Sequence, residues 1–321
     1  MLKVGLPDAV DPDLHRLLPS GISLQLIPLR PTRPVDVEFW ITPPVTPHSA
    51  QMLPFLRGLR VIQATTAGVD GLLKLIPPGV TLCDGRGIHN ISTAEWALTA
   101  ILAATKYLPF YDDLRHIGVW SRRKEAEDLY RALHPTAHRF YPYVLSEDLH
   151  RQHVLIVGYG AIGRAIEERL QPFGVTFTRV ARTARDGVSS IQELPSLLPA
   201  ADIVVLIVPF TAETTGLIGA EQLALMKQGS LLVNAARGPV VNTDALLAAL
   251  LNRRIRAAID VTDPEPLPDG HPLWTAPNLL ITPHIASSTP MFMVRAIELA
   301  AAQIGRYLRG EPLQNVVTGN Y

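Results

Sequence analysis

Apolar runs of four to eight residues recur along the first third of the chain, and short polar or proline-rich turns separate them. Runs of this length between turns are typical of buried strands. Short helices are predicted between them at 14–18 and 52–56. Because strands alternate with helices, the pattern predicts a mostly parallel sheet that is covered on both faces. The predicted strands of this part span 2–6, 22–29, 35–41, 59–64 and 80–83.

The pattern changes near residue 92, where a long helix is predicted through 94–102. Ser92 or Thr93 is its predicted N-cap, because a hydroxyl oxygen can accept a bond from the first free N–H groups. A charged segment at 122–142 follows and has no regular apolar period. We therefore predict an irregular connection there.

A second series of alternating strands and helices begins at His153, and a final helix is predicted at 290–308. We therefore predict an α/β protein with two doubly wound parallel-sheet domains, one inserted in the other. The discontinuous domain would comprise 1–95 and 290–321, and the inserted domain 96–289. The ligand is expected in the cleft between them. The strands predicted in the second series span 153–157, 175–180, 203–208, 230–234, 257–261 and 279–281.

The strand predicted at 153–157 ends in the sequence GYGAIG at 158–163, which opens a predicted helix. In such a turn the first glycine bends the chain, the second lets the backbone approach a pyrophosphate, and the third lets the helix pack on the strand. The helix N-terminus adds free N–H groups that favour an anion. The turn therefore predicts a dinucleotide cofactor and redox chemistry. The predicted contacts are Gly158, Gly160, Ala161, Ile162 and Gly163.

Composition excludes several other classes of protein. The 29 basic residues are balanced by 29 acidic ones, so there is no surplus of positive charge for nucleic-acid binding. The single cysteine, Cys83, cannot form an internal disulfide and fits a reducing cytoplasm. No apolar window is long enough to span a membrane, and residues 1–6 read as a strand rather than a signal peptide. With 321 residues the chain is long enough for two domains, and no metal site is predicted.

Three polar residues follow strands of the second series, at the edge where such a sheet presents its ligand. Arg237 follows the strand predicted at 230–234, Glu265 lies four residues beyond Val261, and His284 follows the last strand. A guanidinium can bind a carboxylate through two parallel bonds. A histidine exchanges protons near neutral pH, and a carboxylate beside it favours its charged form. Each residue alone is more often structural, but the set points to acid–base chemistry on a carboxylate-bearing substrate.

Together these motifs resemble the D-isomer-specific 2-hydroxyacid dehydrogenases. The resemblance rests on GYGAIG at 158–163, NAARG at 234–238 and TPHIA at 282–286, with DV at 260–261 and EP at 265–266. The motifs occur in order over nearly the whole chain. The resemblance implies a Rossmann cofactor domain inserted in a flavodoxin-like substrate domain. Further motifs of the family's first domain match GVD at 68–70 and TAEW at 93–96.

The resemblance also implies residue roles. Arg237 would bind the substrate carboxylate and carbonyl, His284 would donate a proton to the carbonyl oxygen, and Glu265 would keep His284 protonated. Backbone amides of Ala67, Gly68 and Val69 would hold the carboxylate from the other side. The remaining predicted cofactor contacts are Pro209, Thr214, Ala235, Ala236, Asp260, His284 and Ala286.

Other family positions are expected to be structural or to lie at an interface. Asp70 and Glu95 are expected to serve as turn and interdomain groups. The insertion at 120–143 is too long for a simple connection, so we predict a homodimer arm. Trp120 in this arm either reaches the neighbouring subunit's active site or packs as a surface aromatic.

One position departs from the pattern of NAD-binding enzymes. These carry an acid at the end of the second strand, where it accepts hydrogen bonds from the adenosine ribose. Ala181 stands there in this chain, and no acid follows before Asp186. A basic loop follows instead, and its side chains can bind a 2′-phosphate. We therefore predict a preference for NADP, with NAD possible, and contacts from Arg182, Thr183 and Arg185.

The predicted activity is NADPH-dependent reduction of a small 2-oxo acid, of the glyoxylate or hydroxypyruvate type, to the D-2-hydroxy acid. The alternatives are an NAD-dependent phosphoglycerate-type or phosphite dehydrogenase, or a nucleotide-sensing protein similar to the family's corepressors. Formate enzymes of this fold carry glutamine where Glu265 stands, which argues against formate oxidation. The chain shows no regulatory module after its last predicted helix, so we expect a short form of the family.

Overall fold

Two parallel β-sheets form the frame of the computed structural model, which describes residues 1–137, 139–140 and 142–318. Each sheet belongs to its own unit of the chain. The first unit comprises Met1–Asn90 and Ser287–Tyr321, and the second comprises Ile91–Ala286. The units thus divide a few residues before the predicted boundaries at 95 and 290.

The sheet of the first unit has five parallel strands in the order β2-β1-β4-β6-β7. This is the 2-1-3-4-5 order of flavodoxin-like folds. Both faces are covered, because Phe39 and Ile41 pack with Ile297 of the last helix while Trp40 packs with Met52. The elements of this unit are β1 (Leu2–Pro7), β2 (Ile22–Ile27), β3 (Val35–Asp36), β4 (Phe39–Ile41), α1 (Thr46–Met52), β5 (Leu56–Arg57), β6 (Val61–Gln63), α2 (Asp70–Leu73), β7 (Thr81–Cys83) and α10 (Phe292–Leu308).

Two predictions for this unit were wrong in detail. The run at 35–41 is two strands, because the Val37 N–H donates to Arg57 O whereas the Glu38 N–H donates to Lys3 O. The chain therefore leaves the small β3–β5 pair and enters the main sheet at this point. The helix predicted at 52–56 ends at Met52, since Pro54 lacks the N–H that would continue it.

The sheet of the second unit has seven parallel strands in the order β10-β9-β8-β11-β12-β13-β14. Counted from β8, this is the 3-2-1-4-5-6 order of a Rossmann fold with one further strand. The predicted fold class, α/β with two doubly wound parallel sheets, is confirmed. The strands are β8 (His153–Val157), β9 (Thr176–Ala181), β10 (Ser189–Ser190), β11 (Ile203–Leu206), β12 (Leu231–Asn234), β13 (Arg256–Ile259) and β14 (Leu279–Ile281).

Helices cover both faces of this sheet. The central strands β11 and β12 are buried along their whole length, as expected for a sheet between two helical layers. None of the described helices is long and apolar enough to cross a membrane. The helices are α3 (Asn90–Thr105), α4 (Leu108–Ile117), α5 (Glu125–Leu133), α6 (Ala161–Leu170), α7 (Leu194–Leu197), α8 (Ala220–Leu225) and α9 (Thr243–Leu251).

The helix predicted through 94–102 begins earlier than expected. It starts at Asn90, so Ser92 and Thr93 lie inside its first turns, where both are buried, and neither is the N-cap. Ala97 and Ile101 of this helix pack on the second sheet, which explains why nearly all of the helix belongs to the second unit.

The segment at 122–142 was wrongly predicted to be irregular, because it contains α5. This helix buries Ala126 and Leu133 on one face. Its acidic residues Glu125, Glu127 and Asp128 stand in the first turn, where the helix dipole favours negative charge.

Candidate active site

The glycine-rich turn after β8 leaves room for a ligand at one place only. Gly158 has φ +105°, and a Cβ on it would lie 2.4 Å from Ile207 O. A Cβ on Gly163 would lie 2.9 Å from Gly158 O, so this glycine permits the close approach of α6. Gly160 differs, since the nearest atom to its Cβ position is 4.0 Å away. Packing therefore does not require a glycine at this position, and the absence of a side chain leaves open space beside the turn.

The N-terminus of α6 faces this turn without a side-chain cap. Gly160 is the N-cap residue and has no side-chain oxygen to satisfy the first N–H groups. Ala161, Ile162 and Gly163 form the first turn of the helix. An uncapped ten-residue helix preceded by open space is the environment that fits a pyrophosphate. The residues present therefore fit a dinucleotide.

The basic loop after β9 is exposed. Arg182, Thr183 and Arg185 are all exposed, and Asp186 is the first acid after Ala181. Arg185 Nη2 donates to Tyr159 O at 2.6 Å, which brings this guanidinium to the glycine-rich turn. Reciprocal backbone bonds between Arg185 and Val188, of 3.0 and 2.8 Å, close the loop.

A polar cluster that the sequence did not reveal supports the same turn. The Arg179 guanidinium, on β9, is paired with the Glu167 carboxylate on α6 and lies 5.5 Å from the centre of the Tyr159 ring. The hydrogen bond from Arg179 holds the pKa of Glu167 below its usual value. Glu167 is thus already paired with a cation and cannot replace the missing acid at Ala181. No local pattern links residues twelve apart on a helix and a strand, so only the fold shows this contact.

The loop after β11 is held by its own side chains. The Thr214 hydroxyl donates to Pro209 O at 2.7 Å and accepts from the Thr211 N–H at 2.8 Å. The two residues predicted to lie near the cofactor are therefore joined to each other. The exposed Pro209 stands at the carboxyl edge of the sheet.

The loop after β12 is shaped by Asn234, a residue that the sequence did not single out as functional. Its Oδ1 accepts from the Ala236 N–H at 3.0 Å, and its Nδ2 donates to Arg237 O at 3.1 Å. The half-buried Arg237 donates from Nη1 to Ala236 O at 2.8 Å. A Cβ on Gly238 would lie 1.8 Å from Thr262 O, so only glycine lets the loops after β12 and β13 approach this closely. These contacts place Ala235, Ala236 and Arg237 at the edge of the sheet.

His284 and Glu265 are in direct contact. His284 Nδ1 lies 2.5 Å from Glu265 Oε1, and the two side chains are 44% and 39% exposed. An ionised carboxylate can only accept a hydrogen bond, so Nδ1 carries the proton in this contact. The other ring nitrogen, Nε2, remains for a substrate. The pair is thus built to give or take a proton at one defined atom.

Asp260 holds the loop that carries His284. It is only 2% exposed, and its carboxylate accepts from the Ile285 and Ala286 N–H groups at 2.8 and 2.9 Å. The Thr282 hydroxyl donates to the same carboxylate at 2.6 Å. Asp260 was predicted to contact the cofactor. In the structure its oxygens are used by the neighbouring loop, and the predicted contact stays a prediction.

The predicted carboxylate-binding segment lies in the first unit, between β6 and α2. The Thr66 hydroxyl donates to Gly68 O at 2.9 Å, and buried Val69 precedes α2. Ala67 and Gly68 are half-buried. Asp70 opens α2, as a turn residue would. The role of this segment in substrate binding stays a prediction.

Other predicted positions lie outside these clusters. Glu95 is exposed on α3. Trp120 is 79% exposed, although the Arg123 guanidinium lies 5.3 Å from its ring centre, and the structure does not decide between its two predicted roles. Burial raises the pKa of Cys83 to about 11, which keeps its thiol protonated and unsuited to nucleophilic chemistry. Among the described residues, no group of three or more His, Cys, Asp or Glu side chains is arranged to hold a metal.

Comparison with known proteins gives consistent matches. The family model described as "D-isomer specific 2-hydroxyacid dehydrogenase, NAD binding domain" matches residues 99–286. A glyoxylate reductase from Thermofilum pendens is 33% identical over 272 residues, which cover 82% of this chain and 76% of that protein. A D-3-phosphoglycerate dehydrogenase from Methanocaldococcus jannaschii is 31% identical, and the match covers 81% of this chain but only 47% of that longer protein.

A solved structure agrees over almost the whole chain. The D-isomer specific 2-hydroxyacid dehydrogenase from Xanthobacter autotrophicus Py2, determined in complex with NADPH and MES, is 29% identical with a TM-score of 0.77. The alignment covers 98% of each chain.

Proposed function

Because the chain belongs to the D-isomer specific 2-hydroxyacid dehydrogenase family, and is therefore an NAD(P)-dependent D-2-hydroxyacid dehydrogenase, we propose that it reduces a small 2-oxo acid of the glyoxylate or hydroxypyruvate type with NADPH. The observation that carries this proposal is the 2.5 Å contact between Glu265 Oε1 and His284 Nδ1. It orients a proton donor at the edge of the sheet that binds the cofactor.

His284 is the proposed proton donor. Its Nε2 gives a proton to the carbonyl oxygen as that oxygen gains negative charge. The Glu265 carboxylate accepts from Nδ1, so it fixes the ring and leaves Nε2 to act on the substrate. The pair is partly exposed, and closure of the active site over a substrate would strengthen this interaction.

Arg237 is the proposed carboxylate anchor. Its guanidinium stands at the end of β12, in the loop that Asn234 holds. A planar guanidinium can bind a carboxylate through two bonds and also polarise the adjacent carbonyl. It would thereby stabilise the negative charge that develops on the oxygen.

The cofactor site is proposed along the glycine-rich turn. When bound, the reduced nicotinamide supplies a hydride to C2 of the 2-oxo acid. The open space at Gly160 and the uncapped α6 would hold the pyrophosphate. Ala235, Ala236 and Ala286 lie at the carboxyl edge of the same sheet and would border the nicotinamide.

The preference for NADPH is proposed from charge. An acid at Ala181 would repel a 2′-phosphate, and none stands there. Arg185 reaches the turn through Tyr159 O, and Arg182 precedes it on the same loop. Two arginines on the loop, together with the absence of an acid at Ala181, favour binding of the phosphorylated ribose.

A substrate screen tests the proposal. Glyoxylate, hydroxypyruvate, pyruvate, 3-phosphohydroxypyruvate and a bulkier 2-oxo acid would each be assayed with NADPH and with NADH. We expect the highest kcat/KM for glyoxylate or hydroxypyruvate with NADPH, and none above background for His284→Ala. A preference for 3-phosphohydroxypyruvate with NADH would favour the phosphoglycerate alternative, and no turnover of any 2-oxo acid would favour the corepressor-like one.

We also propose that the protein is a homodimer formed through the predicted arm at 120–143 together with the preceding helix α4. This segment exposes large apolar side chains, which in a monomer would remain in water. His138 and Tyr141 of the predicted arm lie outside the described residues. The exposed side chains are Leu108, Ile117, Val119, Trp120, Phe140 and Tyr143.

Sedimentation tests the dimer. We expect twice the 35.1 kDa chain mass at micromolar concentration, and weaker association in Trp120→Ser. Trp274→Ser is the matched control, because Trp274 is also exposed but lies outside this segment. A wild-type monomer at that concentration would contradict the proposal.

A further inference from the structure

A chain of hydrogen bonds links helix α3 to the loop that carries His284. The Trp96 indole Nε1–H donates to Thr282 Oγ1 at 3.0 Å, and Thr282 Oγ1 lies 2.6 Å from Asp260 Oδ1. Trp96 and Thr282 are 186 positions apart, and both are half-buried. The proposed function assigns no role to either side chain.

The direction of this chain is determined by its chemistry. An indole N–H can only donate, so Thr282 Oγ1 accepts from Trp96. The hydroxyl has a single proton, which is then free to point at Asp260 Oδ1. An ionised Asp260 can only accept, so a donor at one end and an acceptor at the other leave the hydroxyl one orientation. Trp96 therefore selects the rotamer in which Thr282 donates to the carboxylate.

The Asp260 carboxylate is in turn the acceptor that holds residues 284–286. It receives the Ile285 N–H on Oδ1 and the Ala286 N–H on Oδ2. The backbone oxygen of Asp260 accepts the His284 N–H at 2.7 Å. Donors on both sides of His284 thus converge on one buried residue.

His284 needs such support because of its backbone. Its φ is +54°, in the left-handed region that residues with a Cβ rarely adopt. Such a conformation persists only where the surroundings impose it, and it often occurs at functional sites. Loss of a donor to Asp260 would weaken the support and let the imidazole move from the direction in which Glu265 holds it.

We propose that Trp96 and Thr282 are positioning residues for the reaction. They act through Asp260 and keep the backbone of His284 in its left-handed conformation. They thereby fix the direction of the His284 Nε2 atom. This inference rests on the proposed role of His284 as proton donor. Neither residue is assigned contact with the substrate or the cofactor.

Three variants test this chain of hydrogen bonds by steady-state kinetics with glyoxylate and NADPH. Thr282→Val removes the donor to a charged acceptor at nearly constant volume, and we expect kcat to fall roughly ten- to a hundredfold. Trp96→Phe removes only the second donor and should lower kcat by about three- to tenfold. Thr282→Ser keeps the hydroxyl and should restore kcat to within about threefold of wild type. KM for both reactants should change less than about twofold in all three, because a positioning residue affects the transition state rather than ground-state binding.

Trp274→Phe is the matched control. Trp274 Nε1 also donates one hydrogen bond, to Pro268 O at 3.0 Å, but away from this loop. Its kcat should equal that of wild type. A Trp96→Phe variant that is as active as Trp274→Phe would overturn the proposal. So would a Thr282→Val variant whose loss lies in KM for NADPH, because Asp260 would then act through the cofactor.

Amide hydrogen exchange provides a readout that does not need turnover. In folded protein, Ile285 and Ala286 should exchange at least about tenfold faster in Thr282→Val than in wild type, with core strand β12 unchanged. Unchanged exchange would overturn the proposed support. Faster exchange in a protein that does not reduce 2-oxo acids would instead contradict the proposed function while the structural link holds.

Discussion

Two of the loops at the carboxyl edge of the second sheet carry basic residues of the proposed site. They differ in how they are held, since one is fixed by hydrogen bonds to a buried residue and the other is exposed. The loop at 282–286, after β14, is attached to buried Asp260 through three backbone N–H groups and one hydroxyl. The loop at 182–188, after β9, is exposed over most of its length. Its Arg185 side chain donates a hydrogen bond to Tyr159 O of the glycine-rich turn.

The difference matches what each loop has to do. Proton transfer needs heavy atoms within about 3 Å and aligned, so an error of 1 Å is costly. Binding a phosphate needs positive charge nearby, and exposed arginines supply it with less demand on geometry. Loss of a bond to a buried carboxylate costs about 1–3 kcal/mol, whereas an exposed ion pair contributes about 0–1 kcal/mol. We therefore expect changes near 282–286 to lower kcat and changes at 182–188 to alter the choice of cofactor.

The largest effect is expected at Arg237, which lies in a third loop, after β12, that Asn234 holds by hydrogen bonds. Arg237→Ala should lower kcat/KM for glyoxylate by roughly 10²–10⁴-fold, because a charged bidentate contact to the transition state is lost. Steady-state kinetics measure this, and fluorescence titration should show NADPH binding within about threefold of wild type. Arg309→Ala, at an exposed pair with Glu311, is the control and should be fully active. A well-folded Arg237→Ala enzyme with normal turnover would remove Arg237 from the mechanism.

A smaller effect is expected from changes in the basic loop. It should appear in the ratio of kcat/KM with NADPH to kcat/KM with NADH. Wild type should prefer NADPH over NADH by about ten- to a thousandfold in kcat/KM. Arg182→Ala should lower kcat/KM with NADPH and leave that with NADH unchanged. Ala181→Asp should lower the NADPH value by repulsion and raise the NADH value through the ribose hydroxyls. Equal use of both cofactors by the wild type would mean that the loop does not select between them.

The fold was largely predictable because each strand is a local pattern. The strands at 153–157 and 279–281 and the helix Ala161–Leu170 occur at the expected bounds. The parallel arrangement of both sheets followed from the two alternating series of strands and helices. The errors arose where partners are distant, as at Val37, where the chain changes from one strand partner to another. The helix α5 was missed because its apolar face is narrow and its sequence is highly charged.

The sequence predicted which types of residue form the site, but not the contacts that hold those residues in place. Arg237, Glu265 and His284 each follow a strand and match a family motif, so the sequence indicates them. The supports are contacts across the fold, such as Asn234 with Arg237 O and Asp260 with 282–286. Trp96 meets Thr282 only because α3 packs on the sheet, and no spacing in the sequence predicts that contact.

The central claim is that His284, held by Glu265, supplies the proton for carbonyl reduction. The rate of glyoxylate reduction with NADPH, compared between wild type, Glu265→Gln and His284→Ala, tests it most directly. His284→Ala lacks the proposed proton donor, so its turnover should not exceed background. Glu265→Gln keeps the imidazole but replaces the charged acceptor of the Nδ1–H with a neutral one, so kcat should fall by about tenfold, far less than in His284→Ala. A folded His284→Ala enzyme that keeps wild-type turnover, or a Glu265→Gln enzyme as active as wild type, would contradict the claim.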